Sequence, residues 1–326
     1  MLRKFLNRFK NEMRADILQA LDSVVEARVQ AALQAAAPQL VLRALAARAF
    51  LPNPAVHGGV LDGPWLQGST PSAADFRHPR YAEICKWLCV RPVFHRKQWE
   101  FVFIIDALSR AGVLQQGRRG LAFGVGRERL PALFASRGVE IVATDAPLSL
   151  AVTKGWIASE QHSQSLENLR FPQLVEKDVF DEKVRFQTCD MNKIDPALTD
   201  FDFVWSSCCF EHLGSLEAGM QFVINSVERT LRVGGTACHT TEFNLSSDQD
   251  TVATGGTVLY RRRDMLALIE SLRARGHSVE PFVVARDVHV LDQIFDLPPH
   301  LHDPHLKMQI QKYVSTSVGI VVTRGV

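Results

Sequence analysis

The chain has 326 residues, 46% of them apolar and 22% charged, with a formal net charge of +2. That supplies one substantial core and length enough for two domains, and the small net charge excludes nucleic-acid binding driven by the overall field. Nowhere do about 18 consecutive apolar residues occur, which argues against a membrane-spanning helix.

Residues 2–50 read as helix, because Phe5, Phe9, Met13, Ile17, Leu21 and Val25 recur every fourth position and alanines fill 31–47, with a break expected at Pro38. Such a stripe needs a cover. One candidate is its own domain or a second copy of the chain; the other is an anionic membrane surface, matched to Arg3, Lys4, Arg8, Lys10 and Arg14. Residues 51–79 are rich in Pro, Gly, Ser and His and read as an irregular linker. The remainder, 80–326, is expected to be one domain. The start of the chain lacks a long apolar run with a small-residue cleavage site, and the six cysteines show no Cys-x-x-Cys pair. The expectation is a cytoplasmic protein with reduced thiols, in peripheral contact with the inner membrane face if the first helix meets lipid.

Within 80–326, helices are expected at 81–88 and 98–108. After them, strands at 120–124, 139–144, 184–189, 201–206, 235–241, 279–285 and 315–323 alternate with helices at 127–137, 216–231 and 261–275. That alternation predicts an α/β fold: a doubly wound, mostly parallel seven-stranded sheet behind an N-terminal helical extension. The last strand lacks a preceding crossover helix and is expected to run antiparallel.

The most informative stretch is the apolar run Gly120–Phe123 ending in Gly124-Val125-Gly126, followed about twenty residues on by a second strand closing on Asp145. Strand, glycine turn, helix, strand and terminal acid together make a nucleoside cradle. A dinucleotide fingerprint would place a third glycine at 129, where the chain has Arg129, and this disfavours a nicotinamide cofactor. The third strand is followed by Asp190-Met191, an acid and an apolar residue suited to an adenine ring. The fourth is followed by Ser207-Cys208-Cys209-Phe210-Glu211-His212, and the fifth is preceded by Leu231-Arg232-Val233-Gly234-Gly235.

In order and spacing, these segments resemble the class I S-adenosylmethionine-dependent methyltransferases across about 95–326. The resemblance implies S-adenosyl-L-methionine as cofactor, with Phe123, Gly124 and Gly126 beside its methionine part. It also places Asp145 on the ribose hydroxyls, Asp190 and Met191 around adenine, and Ser207 under the sulfonium. Two departures stand out: Ala122 occupies the place of the family's usual acid, and Glu128 that of its third turn glycine. The string from His95 through Glu-His-Leu-Gly-Ser and His-Thr-Thr-Glu-Phe-Asn also resembles bacterial members associated with surface polysaccharide assembly.

Transfer to a hydroxyl needs a base, and the candidates are Glu211, His212 and His239 at the carboxyl ends of strands four and five. His95, Arg96 and Glu242 are the candidate substrate contacts, and the 160–183 insertion lies where a substrate cap would grow. Some O-methyltransferases bind a divalent ion through Glu-x-x-Glu-His; here the first position is Cys208, so no metal is assigned. The expected activity is methyl transfer to a small-molecule or glycan acceptor at oxygen, with no nucleic-acid partner. The alternative is a cofactor-binding scaffold without catalysis, tethered or oligomerised through residues 1–50.

Overall fold

The computed structural model describes residues 13, 14, 18, 21, 23–32, 34–39, 66, 68–148, 162–163, 165–287, 289–298, 300 and 302–326. Its centre is a sheet of β1 (Arg119–Phe123), β2 (Glu140–Asp145), β3 (Val184–Thr188), β4 (Phe201–Ser207), β5 (Leu231–Asn244), β6 (Ser278–Val279), β7 (Met308–Ile310) and β8 (Tyr313–Thr323). The spatial order is β3-β2-β1-β4-β5-β8-β6, with β7 pairing onto β8. Strands β1 to β5 are parallel, and β8 is antiparallel to β5, β6 and β7, as its missing crossover helix predicts.

Period-two alternation assigns side chains to the two faces of this sheet. Ala122, Phe203 and Trp205 pack with α1 (Pro79–Trp87), α2 (Arg96–Arg110) and α3 (Leu130–Ala135), while α4 (Lys177–Lys183) adds Phe180 to the same cluster. Leu121, Phe123 and Val204 pack on the other side, with α5 (Leu216–Asn225) and α6 (Arg262–Ala274). The order reverses direction between β1 and β4, so their carboxyl ends diverge and open a crevice.

The sequence expectations need four corrections. The sheet has eight strands among the described residues, because the unforeseen β7 forms a tight hairpin with β8. The sixth strand shrinks to two residues, since 280–287 runs as an irregular strap whose backbone is held by Ser69 and Thr70. The same bonds show that the expected linker does not reach 79. Ser69 N–H donates to the Val283 carbonyl, Ala73 N–H to Asp292, and Ala73 and Phe76 are buried. Pro, Gly and Ser signal an irregular backbone, which is not the same as an exposed one. Finally, the described N-terminal residues are helical through Pro38 to Gln39, one residue past the expected break.

In that helix Leu18, Leu21, Val24, Val25 and Val29 are exposed, and residues 1–12 and 40–65 lie outside the described set. Among the described residues no helix is long and apolar enough to cross a membrane.

Candidate functional site

The crevice between β1 and β4 is a cavity of about 1360 Å³. Its floor is made by the turns that follow β1 to β4 and by Glu242 on β5; its roof is the first turns of α2, with Phe171, His302, Met308 and Ile310. The roof is tied down by two backbone bonds, Arg96 N–H to the His305 carbonyl and His305 N–H to the Phe94 carbonyl.

Gly124 (φ +59°) and Gly126 (φ +51°) both adopt the left-handed backbone. At Gly124 a Cβ would stand 2.6 Å from Cys209 Sγ, so the turn needs both the conformation and the missing side chain. The Cys209 thiol in turn donates to the Gly124 carbonyl at 3.2 Å. Asp145 closes β2 beside this turn. Its Oδ2 accepts the N–H of Gly126 at 3.0 Å and of Ser163 at 2.9 Å, while among the described residues Oδ1 accepts the N–H of Ala146, at 2.8 Å, with His162 Nε2 3.9 Å away. Burial raises the Asp145 carboxyl above its ordinary value, opposed by those bonds. Three backbone donors thus aim the carboxylate and leave capacity on Oδ1 for a hydroxyl donor. After β3, Asp190 Oδ1 accepts Asn192 N–H at 2.9 Å, which turns the chain so that Met191 comes beside Gly124.

The chain leaves β4 through Cys208, a non-glycine residue at φ +53°, whose N–H is held by the Thr240 carbonyl and hydroxyl at 3.0 and 3.1 Å. This sharp exit turns Glu211 and His212 toward the cavity. Glu211 Oε2 accepts the Thr241 hydroxyl at 2.8 Å, and burial, reinforced by the neighbouring Glu242, pushes its carboxyl up against the opposing His212. His212 Nδ1 lies 2.8 Å from the Gly256 carbonyl. A carbonyl cannot donate, so Nδ1 carries the proton in that contact and Nε2, 3.8 Å from Glu211 Oε1, is the acceptor nitrogen of the neutral ring.

Of the residues expected from the sequence, Gly124, Gly126, Asp145, Asp190, Met191, Ser207, Glu211, His212, His95, Arg96 and Glu242 all line this one cavity. Two do not. The Phe123 ring points to the opposite face of the sheet and packs edge-on against Phe222 at 5.1 Å. His239 is fully buried, its Nδ1 2.8 Å from Ser206 Oγ and its Nε2 2.9 Å from Ser226 Oγ, and burial pushes its ionisation down to about 3. It is a satisfied core histidine. β5 runs on to Asn244, three residues past its expected end, so position 239 falls inside the strand instead of at its edge.

Two of the expected substrate contacts are also occupied in ways the sequence does not announce. His95 Nδ1 accepts Lys97 N–H at 3.0 Å as the cap of α2, and burial, with His305 and Arg96 nearby, drives its ionisation down to about 3. It offers a neutral Nε2–H instead of a charge. Arg96 pairs with Glu242 at 2.6 Å; burial works against its charge, yet Glu242 and Glu100 outweigh that and its ionisation moves up. Cys208, Glu211 and Glu242 bring ligand-type atoms within 4.8 Å of one another. The Arg96 guanidinium already supplies positive charge there through Glu242, and burial holds the Cys208 thiol well above its usual range.

Three cavity or near-cavity residues escape the sequence reading. Glu100 is fully buried and gathers Ser317 (2.6 Å), Thr240 (2.7 Å), Ser207 (3.3 Å), Lys97 (3.4 Å) and Arg96 (3.6 Å). Lys97 Nζ donates to the Ser207 carbonyl at 3.0 Å. Glu128 accepts Trp205 Nε1–H at 2.6 Å from within the cavity wall. The only sequence trace of these roles is Lys97 and Glu100 at i and i+3 on the first turns of a helix.

No protein-family profile matches the chain, and a search of curated proteins returns no match. Solved structures do resemble it. A TehB-like S-adenosylmethionine-dependent methyltransferase from Corynebacterium glutamicum shares 16% identity over 67% of this chain and 86% of that one, with a TM-score of 0.37. Magnesium protoporphyrin IX methyltransferase from Synechocystis PCC 6803 shares 12% over 70% and 83%, with a TM-score of 0.41. Phosphoethanolamine N-methyltransferase 2 from Haemonchus contortus shares 18% over 54% and 37%, with a TM-score of 0.33. The chain thus spans less than two thirds of some of the proteins it resembles, 37% of the last and 60% of one from Galdieria sulphuraria. At these values the likeness concerns the course of the chain, and the chemistry rests on its own residues.

Proposed function

We propose that the chain transfers a methyl group from S-adenosyl-L-methionine to a small-molecule or glycan acceptor, at oxygen. The observation that carries this reading is one cavity holding both a nucleoside cradle, Gly124–Gly126 with Asp145, and a polar Glu211–His212 pair. The donor set fits the cofactor: Asp145 Oδ1 retains acceptor capacity for a ribose hydroxyl, and Met191 and Asp190 offer an apolar face and an acceptor for adenine.

When bound, S-adenosylmethionine supplies a methyl group on an already cationic sulfur, so the residues around it chiefly position the acceptor and exclude water. The Gly256 carbonyl holds the His212 proton on Nδ1, which leaves Nε2 to take the acceptor hydroxyl's proton. Glu211, beside it, stabilises the imidazolium that results.

Calorimetric titration with S-adenosylhomocysteine and with NAD(H) tests the reading. Binding of the former alone is the expected result; binding of NAD(H) alone would overturn it. In a screen of nucleotide sugars, glycans and phenols as acceptors, His212→Ala is expected to lower turnover by about 10²–10⁴-fold with the cofactor affinity little changed. A second reading, the non-catalytic scaffold, draws on the exposed Leu18, Leu21, Val25 and Val29. It predicts that deleting residues 1–50 abolishes function while His212→Ala does not.

A further inference from the structure

The cavity, at about 1360 Å³, exceeds the roughly 300–1,000 Å³ that holds one drug-sized ligand. The part beyond the nucleoside cradle lies over the ends of β4 and β5, where Glu211, His212, Glu242, Thr257, Met308 and Ile310 line it.

Charge in this part is matched from within. Arg96 pairs with Glu242 at 2.6 Å, its other donors reach Ser317 and Cys208, and its Nε–H is sealed inside the protein. Lys97 is held by Glu100 and the Ser207 carbonyl. Glu211 has its counterpart in His212, whose Nε2 stands 3.8 Å away and gains a proton only when it takes one from the acceptor. The other arginines lining the cavity stand on the far side of β4. Arg127 and Arg129 follow β1, Arg129 donates to the Leu88 carbonyl and lies over Phe171, and Arg91 is three residues beyond Leu88. A phosphate or carboxylate over β4 and β5 would therefore meet Glu211 and Glu242, and among the described residues there no Lys or Arg lacks a carboxylate. A fixed ammonium would meet Arg96 and Lys97. Either ion would give up its water without gaining a partner.

The hydrogen-bonding capacity that is left suits hydroxyl groups. His95 Nδ1 is taken by Lys97 N–H, so its Nε2 carries a proton to donate. The Thr257 hydroxyl stands 3.2 Å from His212 Nδ1, where it accepts, and its own proton is available. Glu211 Oε2 holds the Thr241 hydroxyl, and Oε1 can accept another. Leu213, Met308 and Ile310 are half-buried and give the cavity an apolar surface on which a ring can lie.

We infer that this part of the cavity takes an uncharged, hydroxyl-bearing ring as methyl acceptor and rejects the same ring when it carries a phosphate, a carboxylate or an ammonium group. The inference rests on the methyl-transfer reading and narrows its acceptor. A sugar and a phenol both meet this description.

The experiment measures transfer of labelled methyl from S-adenosylmethionine by the full chain to matched acceptors. The sugar arm is methyl glucoside against methyl glucuronide, glucose 6-phosphate and methyl glucosaminide; the phenol arm is 4-methylphenol against 4-hydroxybenzoate and 4-hydroxybenzylamine. In the arm that reacts, the uncharged member is expected to have a kcat/KM about tenfold to a hundredfold higher, the cost of leaving a desolvated polar group unmatched. Glu242→Gln, which keeps the volume and removes the counter-charge of Arg96, is expected to close most of the gap for the carboxylates. A charged member used as well as its uncharged partner, a gap unchanged in folded Glu242→Gln, or no transfer in either arm by protein that binds S-adenosylhomocysteine overturns the inference and leaves the cofactor reading intact. Failure to bind S-adenosylhomocysteine overturns the methyl-transfer reading, and this inference with it.

Discussion

Replacing Glu100 with alanine is expected to lower the unfolding free energy by about 3–5 kcal/mol, the range seen when one member of a buried ion pair is removed. The substitution strips Lys97 of its carboxylate partner and leaves the Ser317, Thr240 and Ser207 hydroxyls facing a void. For a domain of this size the loss corresponds to a fall in Tm of roughly 10 °C, and Glu100→Gln, which keeps the volume and one acceptor, falls between. Burial raises the Glu100 carboxyl, but Lys97, Arg96 and the two hydroxyls outweigh it and hold it below the ordinary value. A lowered folded-state pKa contributes stability above the unfolded carboxylate value and loses it as pH falls through the folded one. The gap between wild type and Glu100→Ala should therefore be full near neutrality and close only in acid. Thermal melts across pH check this; an alanine variant that melts within about 1 °C of wild type at pH 7 contradicts it.

Substituting Gly124 with valine is expected to weaken S-adenosylhomocysteine binding by about a hundredfold or more, equivalent to about 2.7 kcal/mol. Two costs combine: a left-handed backbone, about 1–2 kcal/mol for a residue with a Cβ, and a Cβ placed 2.6 Å from Cys209 Sγ. Relief requires either the turn or Cys209 to move, and both bound the cavity. Gly117→Ala is the control, because Gly117 has φ +80° but its Cβ would meet nothing within 4 Å. Titration of the two variants separates backbone strain from crowding. Equal binding by Gly124→Val and wild type would remove the turn from the nucleoside site.

The floor of the cavity was readable because each of its parts is a short local signal: two glycines where the backbone turns left-handed, an acid ending β2, and an acid-histidine pair where β4 ends. The roof was not. His302, Met308 and Ile310 come from a segment without periodicity, and their place is set by pairing onto β8 and onto the start of α2. His239 shows the limit of reading strand ends. Whether a residue sits inside a strand or at its edge depends on where pairing stops, and β5 is prolonged by β8, its partner from Thr236 to Asn244. Glu100 and Glu128 were missed for a related reason. On a helix and in a turn, each looks like an ordinary solvated acid until the sheet behind it is assembled.

The hydroxyls of Ser317 and Ser315, which anchor Glu100 and Glu242, both belong to β8. The first of these bonds spans 217 residues and so ties the start of α2 to the far side of the sheet across a long loop, whose closure carries an entropic cost. Ligand binding thus depends on β8 being in place as much as on the glycine turn, since release of that one strand would leave two carboxylates in and beside the cavity without these hydroxyl donors.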